Sequence, residues 1–301
     1  MPEKEKKSAQ NSENDELARK SLNKMKMLDA VTAFIVSLVI FACAYGFLVK
    51  YIGVFALLIS CVLSVASVFL LIRLTGLKAR TVLKFSSPKK SHTLGAALLL
   101  AAAMILSVPP ILFSQLLAPR LAATSFNIYS IVGGSSGVFS AILVVIFIAV
   151  CENILFDGYI YSRLGSMSSV ILRAVFTSIM AAVMRFDVYA FSSVFIASLA
   201  AFTVRRETAS LTLPLVIRLF SVSFITAVSG LSASANELVG EAMGAVQVIG
   251  LTLIFVGIAI PVSVLAFASF GRLRQNGKLV GFLTLVFSII LIAAGCGVSS
   301  L

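Results

Sequence analysis

Nine runs of apolar residues, most of them about as long as a bilayer is thick, organise this 301-residue chain. They cover roughly 28–49, 52–74, 94–117, 137–161, 169–188, 190–204, 211–231, 244–269 and 279–299. A helix rising ~1.5 Å per residue needs about 20 such residues to cross ~30 Å of hydrocarbon. The pattern therefore predicts an all-α, polytopic membrane helix bundle of about nine transmembrane helices. The sixth run is the shortest. Pro109-Pro110 and Pro261 fall inside the third and eighth runs and predict kinks of a kind that neighbouring helices accommodate. Residues 1–27 break the pattern as a polar tail with seven Lys/Arg against five Asp/Glu. Such a segment cannot bury enough apolar surface to fold alone, so disorder is expected, with a helix compatible over Asp15–Met27. The chain thus divides into a tail, 1–27, and a transmembrane domain, 28–301. The 118–136 loop, with Gly133-Gly134 and Ser135-Ser136, is expected to be a flexible connection.

Loop charge alternates with the runs. The tail, the 76–93 loop (Lys78, Arg80, Lys84, Lys89, Lys90), Arg163, Arg205-Arg206 and the Arg272-to-Lys278 loop fall on one side. Lys50, Arg120, Asp187, Glu237 and Glu241 fall on the other. The positive-inside rule then places the amino terminus in the cytoplasm and the carboxyl terminus outside. Composition agrees with a membrane protein: 59% of residues are hydrophobic, 12% are charged and mean hydropathy is +1.07. The net charge of +12 follows membrane orientation, so the lipid bilayer and not nucleic acid is the partner it implies. Cys43, Cys61, Cys151 and Cys296 all lie in apolar runs without a CxxC spacing, which indicates neither a disulfide framework nor a thiolate metal site.

Three charges stand in the middle of otherwise apolar segments: Glu152, Arg185 and Arg218. Each costs at least ~2.5–3.5 kcal/mol at membrane depth, so each must be paired, solvated or needed. They belong to three segments. Glu152-Asn153-Ile154-Leu155-Phe156-Asp157-Gly158 ends the fourth run, Thr177-Ser178 to Arg185 lies on the fifth, and Ser210-Leu211 to Pro214 and Arg218 opens the seventh. Order and spacing resemble the CPBP family of intramembrane metalloproteases, which includes CAAX prenyl endopeptidases and bacterial Abi proteins. That family's pattern runs E-E-x-x-F-R-G, S-S-x-x-F-x-x-x-H and S-L-x-x-P-x-x-x-H-x-x-x-N. The resemblance covers roughly 137–231, and Phe156, Gly158, Ser178, Ser210, Leu211 and Pro214 agree with it.

The positions that carry chemistry depart from the pattern. The resemblance implies a carboxylate base for a water, with two histidines and an asparagine holding the water or a divalent metal such as zinc. Here the second carboxylate position is Asn153, the motif arginine is Asp157, both histidine positions are Arg185 and Arg218, and the asparagine position is Val222. His92, the one histidine, lies in the basic loop. A guanidinium stays protonated and can neither ligate a metal nor act as a base, so no catalytic residue, metal or cofactor is assigned. Glu152 and Asp157 are expected to pair with Arg218 and Arg185; alternatively, Arg185 snorkels outward beside Asp187. The function expected is a pseudoprotease scaffold or regulator of another membrane or envelope protein, in a plasma membrane, bacterial by resemblance. Two alternatives stand: a divergent active endopeptidase using Glu152 with Arg218 as oxyanion stabiliser, and a small-molecule transporter.

Overall fold

A computed structural model describes residues 2–53, 55–117, 138–242, 245–271 and 277–299. Within these, the side chains of 2–24, 114–117, 138–141, 166, 188–189, 228–242 and 277–279 lie outside the description. The 118–136 loop, most of the Arg272-to-Lys278 loop and the side chains of Glu237 and Glu241 are therefore not described. The same holds for the tail's side chains before Met25.

The described residues are almost wholly helical and contain no strand. In chain order they form α1 (Pro2–Ile52), α2 (Phe55–Leu74), a short α3 (Ala79–Val82), α4 (Lys90–Leu117) and α5 (Val138–Glu152). A π-helical segment (Asn153–Ile160) continues α5 into α6 (Tyr161–Arg163). There follow α7 (Val170–Val183), α8 (Val188–Thr208), α9 (Thr212–Ala242), α10 (Ala245–Ser269) and α11 (Gly277–Ser299). Every one of the nine apolar runs falls on a helix. Six described helices are long and apolar enough to cross a bilayer: Met25–Ile52, Phe55–Leu74, Lys90–Phe113, Ile142–Arg163, Ala245–Ser269 and Val280–Ser299. Two shorter apolar helices are Val170–Val183 and Thr212–Ala227, counted over the described residues. α7 has 14 residues, about 21 Å of helix. α8 ends in the charged stretch Arg205-Arg206-Glu207. α4 and α10 run through Pro109-Pro110 and Pro261 without a break.

Lipid-like surfaces do not drive helices together, so small residues and interhelical hydrogen bonds do. A Cβ at Gly250 would lie 2.7 Å from the Gly295 carbonyl oxygen, which shows how closely α10 and α11 approach. α1 meets α2 through the Ser37 and Ser67 hydroxyls at 3.3 Å. Ser193 of α8 donates to the Ser107 carbonyl of α4 at 3.1 Å. The central element is Ile142–Arg163, whose apolar window is 56% buried, against 11% for Val280–Ser299 on the periphery. Tyr159 and Phe156 are among the largest fully buried side chains.

Two basic residues sit differently from their sequence assignment. Arg163 is buried, 3.5 Å from Asp29 of α1, because the helix continues through it. His92 belongs to the first turn of α4, not to the preceding loop, and its ring lies 5.9 Å from that of Phe270. Residues Lys84 to Ser86 form a strap across the start of α9. Leu211 N–H donates to the Lys84 carbonyl at 2.9 Å. Ser210 Oγ accepts from Ser86 N–H at 3.0 Å and the Thr212 hydroxyl donates to the Ser86 carbonyl at 3.0 Å.

Candidate functional site

Glu152 and Asp157 are five residues apart, which on an α-helix separates two side chains by about 140°. Here the intervening backbone is π-helical from Asn153 to Ile160, with i→i+5 winding, and this brings both carboxylates onto one face. Both are buried, Asp157 completely. Gly158 lies in the same widened turn, where a Cβ would stand 3.1 Å from the Leu83 side chain beside the strap.

Arg218 comes from the second turn of α9 and forks onto Asp157. Its Nε donates to Oδ2 at 2.6 Å and its Nη2 to Oδ1 at 3.2 Å. Nη1 donates to Glu152 Oε2 at 3.3 Å and to the Ser198 hydroxyl at 3.2 Å. The guanidinium carbon also lies 5.5 Å from the centre of the Phe156 ring. The other oxygen of Glu152 is taken by Arg185 Nε in a close ion pair. A bidentate guanidinium–carboxylate contact is among the stronger hydrogen-bonded arrangements available to a protein. All four charges therefore form one chain, Asp157–Arg218–Glu152–Arg185.

Arg185 reaches this chain because α7 stops early. The helix ends at Val183, and Met184 to Phe186 make a turn inside the bundle in which Phe186 adopts φ +51°. The Phe186 ring stacks on Phe41 with centroids 6.3 Å apart, which holds the turn in place. Asp187 caps α8 by accepting from Ala190 N–H at 3.2 Å. A second left-handed residue, Ala209 at φ +52°, immediately precedes Ser210. Non-glycine residues at positive φ cost of order 1–3 kcal/mol and gather at functional sites. Both of these adjoin motif segments.

The remaining motif positions are placed nearby with other work. Asn153 donates through Nδ2 to the Leu211 carbonyl at 3.3 Å, tying the π segment to the opening of α9. Val222 lines a cavity of about 10 Å³ together with Glu152, Arg185, Arg218 and Ser221. A second cavity, of about 30 Å³, is also lined by Glu152 and Arg185, together with Cys61, Cys151, Phe156 and Met184. Thr177 and Ser178 are fully buried in α7.

Two residues the sequence reading gave other parts, Arg205 as a basic turn before the third motif and Ser198 as a packing contact, also join the site. Arg205 is buried, donates through Nε to the Asp157 carbonyl at 3.0 Å and lies 5.3 Å from the Tyr161 ring centre. Ser198 binds Arg218. Their seven-residue spacing puts both on one face of α8, a signal that was available once Arg205 is read as helical.

The donor set does not fit a divalent metal. Among the described residues no three His, Cys, Asp or Glu side chains converge on one point. The four carboxylate oxygens of Glu152 and Asp157 all face guanidinium nitrogens. Guanidinium groups have no lone pair to offer a metal.

Residues 134–224 match a protein-family model described as Rce1-like, type II CAAX prenyl endopeptidase. No curated protein and no solved structure matches the chain. The helices that hold the four-charge chain are thus an Rce1-like segment, similar to type II CAAX prenyl endopeptidases and the CPBP family, set within a longer membrane bundle.

Proposed function

We propose that this chain is a non-catalytic relative of the CPBP proteases, a pseudoprotease that binds or stabilises another membrane or envelope protein. The observation that carries the reading is the fork of Arg218 on Asp157, with its third contact on Glu152. Peptide hydrolysis needs a base with a free lone pair beside a water and an electrophile for the developing oxyanion. Glu152 spends one oxygen on each of two guanidinium groups, so neither oxygen is left to face a water. The guanidinium groups that face it hold their protons and supply none to a leaving amine. A cavity shaped for a helix or a lipidated peptide can go on binding after such groups are lost. The bilayer is taken to be a plasma membrane, with the Arg80, Lys84, Lys89 face in the cytoplasm by the positive-inside rule.

The test is reconstitution into liposomes with a prenylated peptide and with a transmembrane peptide as substrates. Cleavage no faster than that of a Glu152→Gln chain is expected. Cleavage that disappears on Glu152→Gln would overturn the proposal and establish a divergent endopeptidase. Crosslinking in native membranes then identifies the partner.

A further inference from the structure

Between α2 and α4 the chain gathers positive charge on one surface. Arg73, Lys78, Arg80, Lys84, Lys89 and Lys90 are all exposed, and none of the six enters an ion pair among the described residues. The sequence has no Asp or Glu between Asp29 and Glu152. Asp29 and Glu207, the acidic side chains described at the same end of the bundle, face Arg163 and Arg206 instead. A cluster of like charges repels itself and draws anions. Its depth is set by the fold, because Thr75 to Lys89 joins two spanning helices, Phe55–Leu74 and Lys90–Phe113. Every cation therefore stands within a few residues of a point where the chain leaves hydrocarbon. The segment is also held down on the bundle: Val82 is buried, and the Leu83 side chain packs on Gly158, next to Asp157. Lys84 and Ser86 are tied through their backbones to Leu211, Ser210 and Thr212, while the Lys84 side chain is exposed. Leu74 and Phe85, 72% and 55% exposed, set apolar side chains among the cations, a combination that suits the boundary between headgroups and acyl chains.

We propose that this surface docks the phosphate headgroups of anionic lipids, and that bound lipid clamps the strap onto the π-helical segment and the start of α9. Basic clusters of about this size beside a spanning helix bind anionic headgroups, each cation strengthening the contact roughly fivefold. The backbone bonds of the strap hold the cations in place before lipid arrives, so little ordering is left for binding to supply. Lipid that binds only the docked strap stabilises that arrangement over an open one. The clamp reaches the ion chain through Leu83 on Gly158 and through Leu211, whose carbonyl accepts from Asn153. None of the six cations belongs to the ion chain itself, so the inference stands whether or not the chain cleaves peptide bonds.

The experiment places the full chain in nanodiscs of phosphatidylcholine, with or without phosphatidylglycerol, and reads amide hydrogen exchange from Leu77 to Ser86 and from Ser210 to Leu215. Phosphatidylglycerol is expected to slow exchange in both stretches several-fold. Salt at ~1 M, which shortens the screening length to about 3 Å, should remove most of that gain. Arg80→Gln/Lys84→Gln/Lys89→Gln keeps the backbone bonds of the strap and removes three cations, about a hundredfold in affinity, so its exchange should be the same in both bilayers. Lys50→Gln, at the opposite end of the α1–α2 pair, should respond to phosphatidylglycerol as the parent does. Three results overturn the proposal. The parent's exchange is equal in the two bilayers, or the gain survives in the triple variant, or inorganic phosphate or poly-glutamate gives the same gain in phosphatidylcholine alone. The last would assign the surface to a soluble anion or an acidic protein.

Discussion

Arg218→Ala tests the ion chain most directly. The substitution removes both hydrogen bonds that reach the Asp157 carboxylate, at 2.6 and 3.2 Å, and one of the two cations on Glu152. What remains is unequal. Glu152 keeps Arg185, whereas Asp157, fully buried, keeps only the Arg205 contact to its backbone carbonyl. The uncompensated charge is therefore Asp157, and breaking a buried pair on one side costs ~3–5 kcal/mol. Neutralising Asp157 in the same chain should restore a large part of this, because a buried amide without a full set of partners costs only ~1–3 kcal/mol. Arg218→Ala should thus lower stability by ~3–5 kcal/mol, and Arg218→Ala/Asp157→Asn should recover about 2 kcal/mol of that. Glu152→Gln should recover less, since Arg185 still holds that carboxylate. The assay is SDS-induced unfolding of the purified protein from mixed micelles, read as loss of protected amides. A single variant within ~0.5 kcal/mol of the parent, the range of ordinary surface substitutions, would refute the reasoning. So would rescue by Glu152→Gln that exceeds rescue by Asp157→Asn.

Arg185→Ala should cost less than Arg218→Ala, ~1–3 kcal/mol in the same assay, because Glu152 retains Arg218. Gly250→Val should loosen the α10–α11 pair by ~1–3 kcal/mol or more, since its Cβ would meet the Gly295 carbonyl at 2.7 Å. Hydrogen exchange confined to those two helices should report it. Ser210→Ala removes two hydrogen bonds between the strap and α9, ~1–2 kcal/mol in all, and limited trypsin cleavage after Lys84 should quicken several-fold.

Much of this architecture was legible because its cause is periodic and local. Among the described residues each apolar run overlaps a helix, since a bilayer leaves a segment little alternative to satisfying its own backbone, and six of the helices are long and apolar enough to span it. The motif residues Glu152, Asp157, Arg185 and Arg218 could be named from spacing alone, because charge at membrane depth is rare enough to stand out. How they meet was not legible. A count at one rise per residue assumes an α-helix through Asp157 and a full-length span ending near Asp187. The π-helical turn changes the first assumption and the early end of α7 changes the second. Both are tertiary effects: the π winding lets Asp157 face Arg218, and Phe186 at positive φ is held by Phe41 on α1. Arg205 and Arg163 looked like loop charges because basic residues at helix ends usually are. Burial came from partners distant in sequence, the Asp157 carbonyl and Asp29.

Electroneutrality explains why arginine, and not an apolar residue, occupies these positions. Two carboxylates five residues apart on one buried face repel each other and lose their hydration, so the site cannot fold with both ionised unless positive charge arrives. A metal ion or guanidinium groups meet that requirement equally well in charge. They differ in what is left over. A metal keeps an open coordination position that can take and acidify a water. Arg218 has its N–H donors aimed in fixed directions, and those that are assigned end on Asp157, Glu152 and Ser198. On the proposed reading, the charge balance is kept without a group that activates water. If the carboxylates were instead dispensable, Asp157→Leu/Arg218→Met would be as stable as the parent, as buried ion pairs elsewhere can be. The ion chain would then act in specificity of packing rather than in stability. The distinguishing measurement is the pair of singles: each alone must be worse than the double, because a lone buried charge is the one arrangement this bundle cannot satisfy.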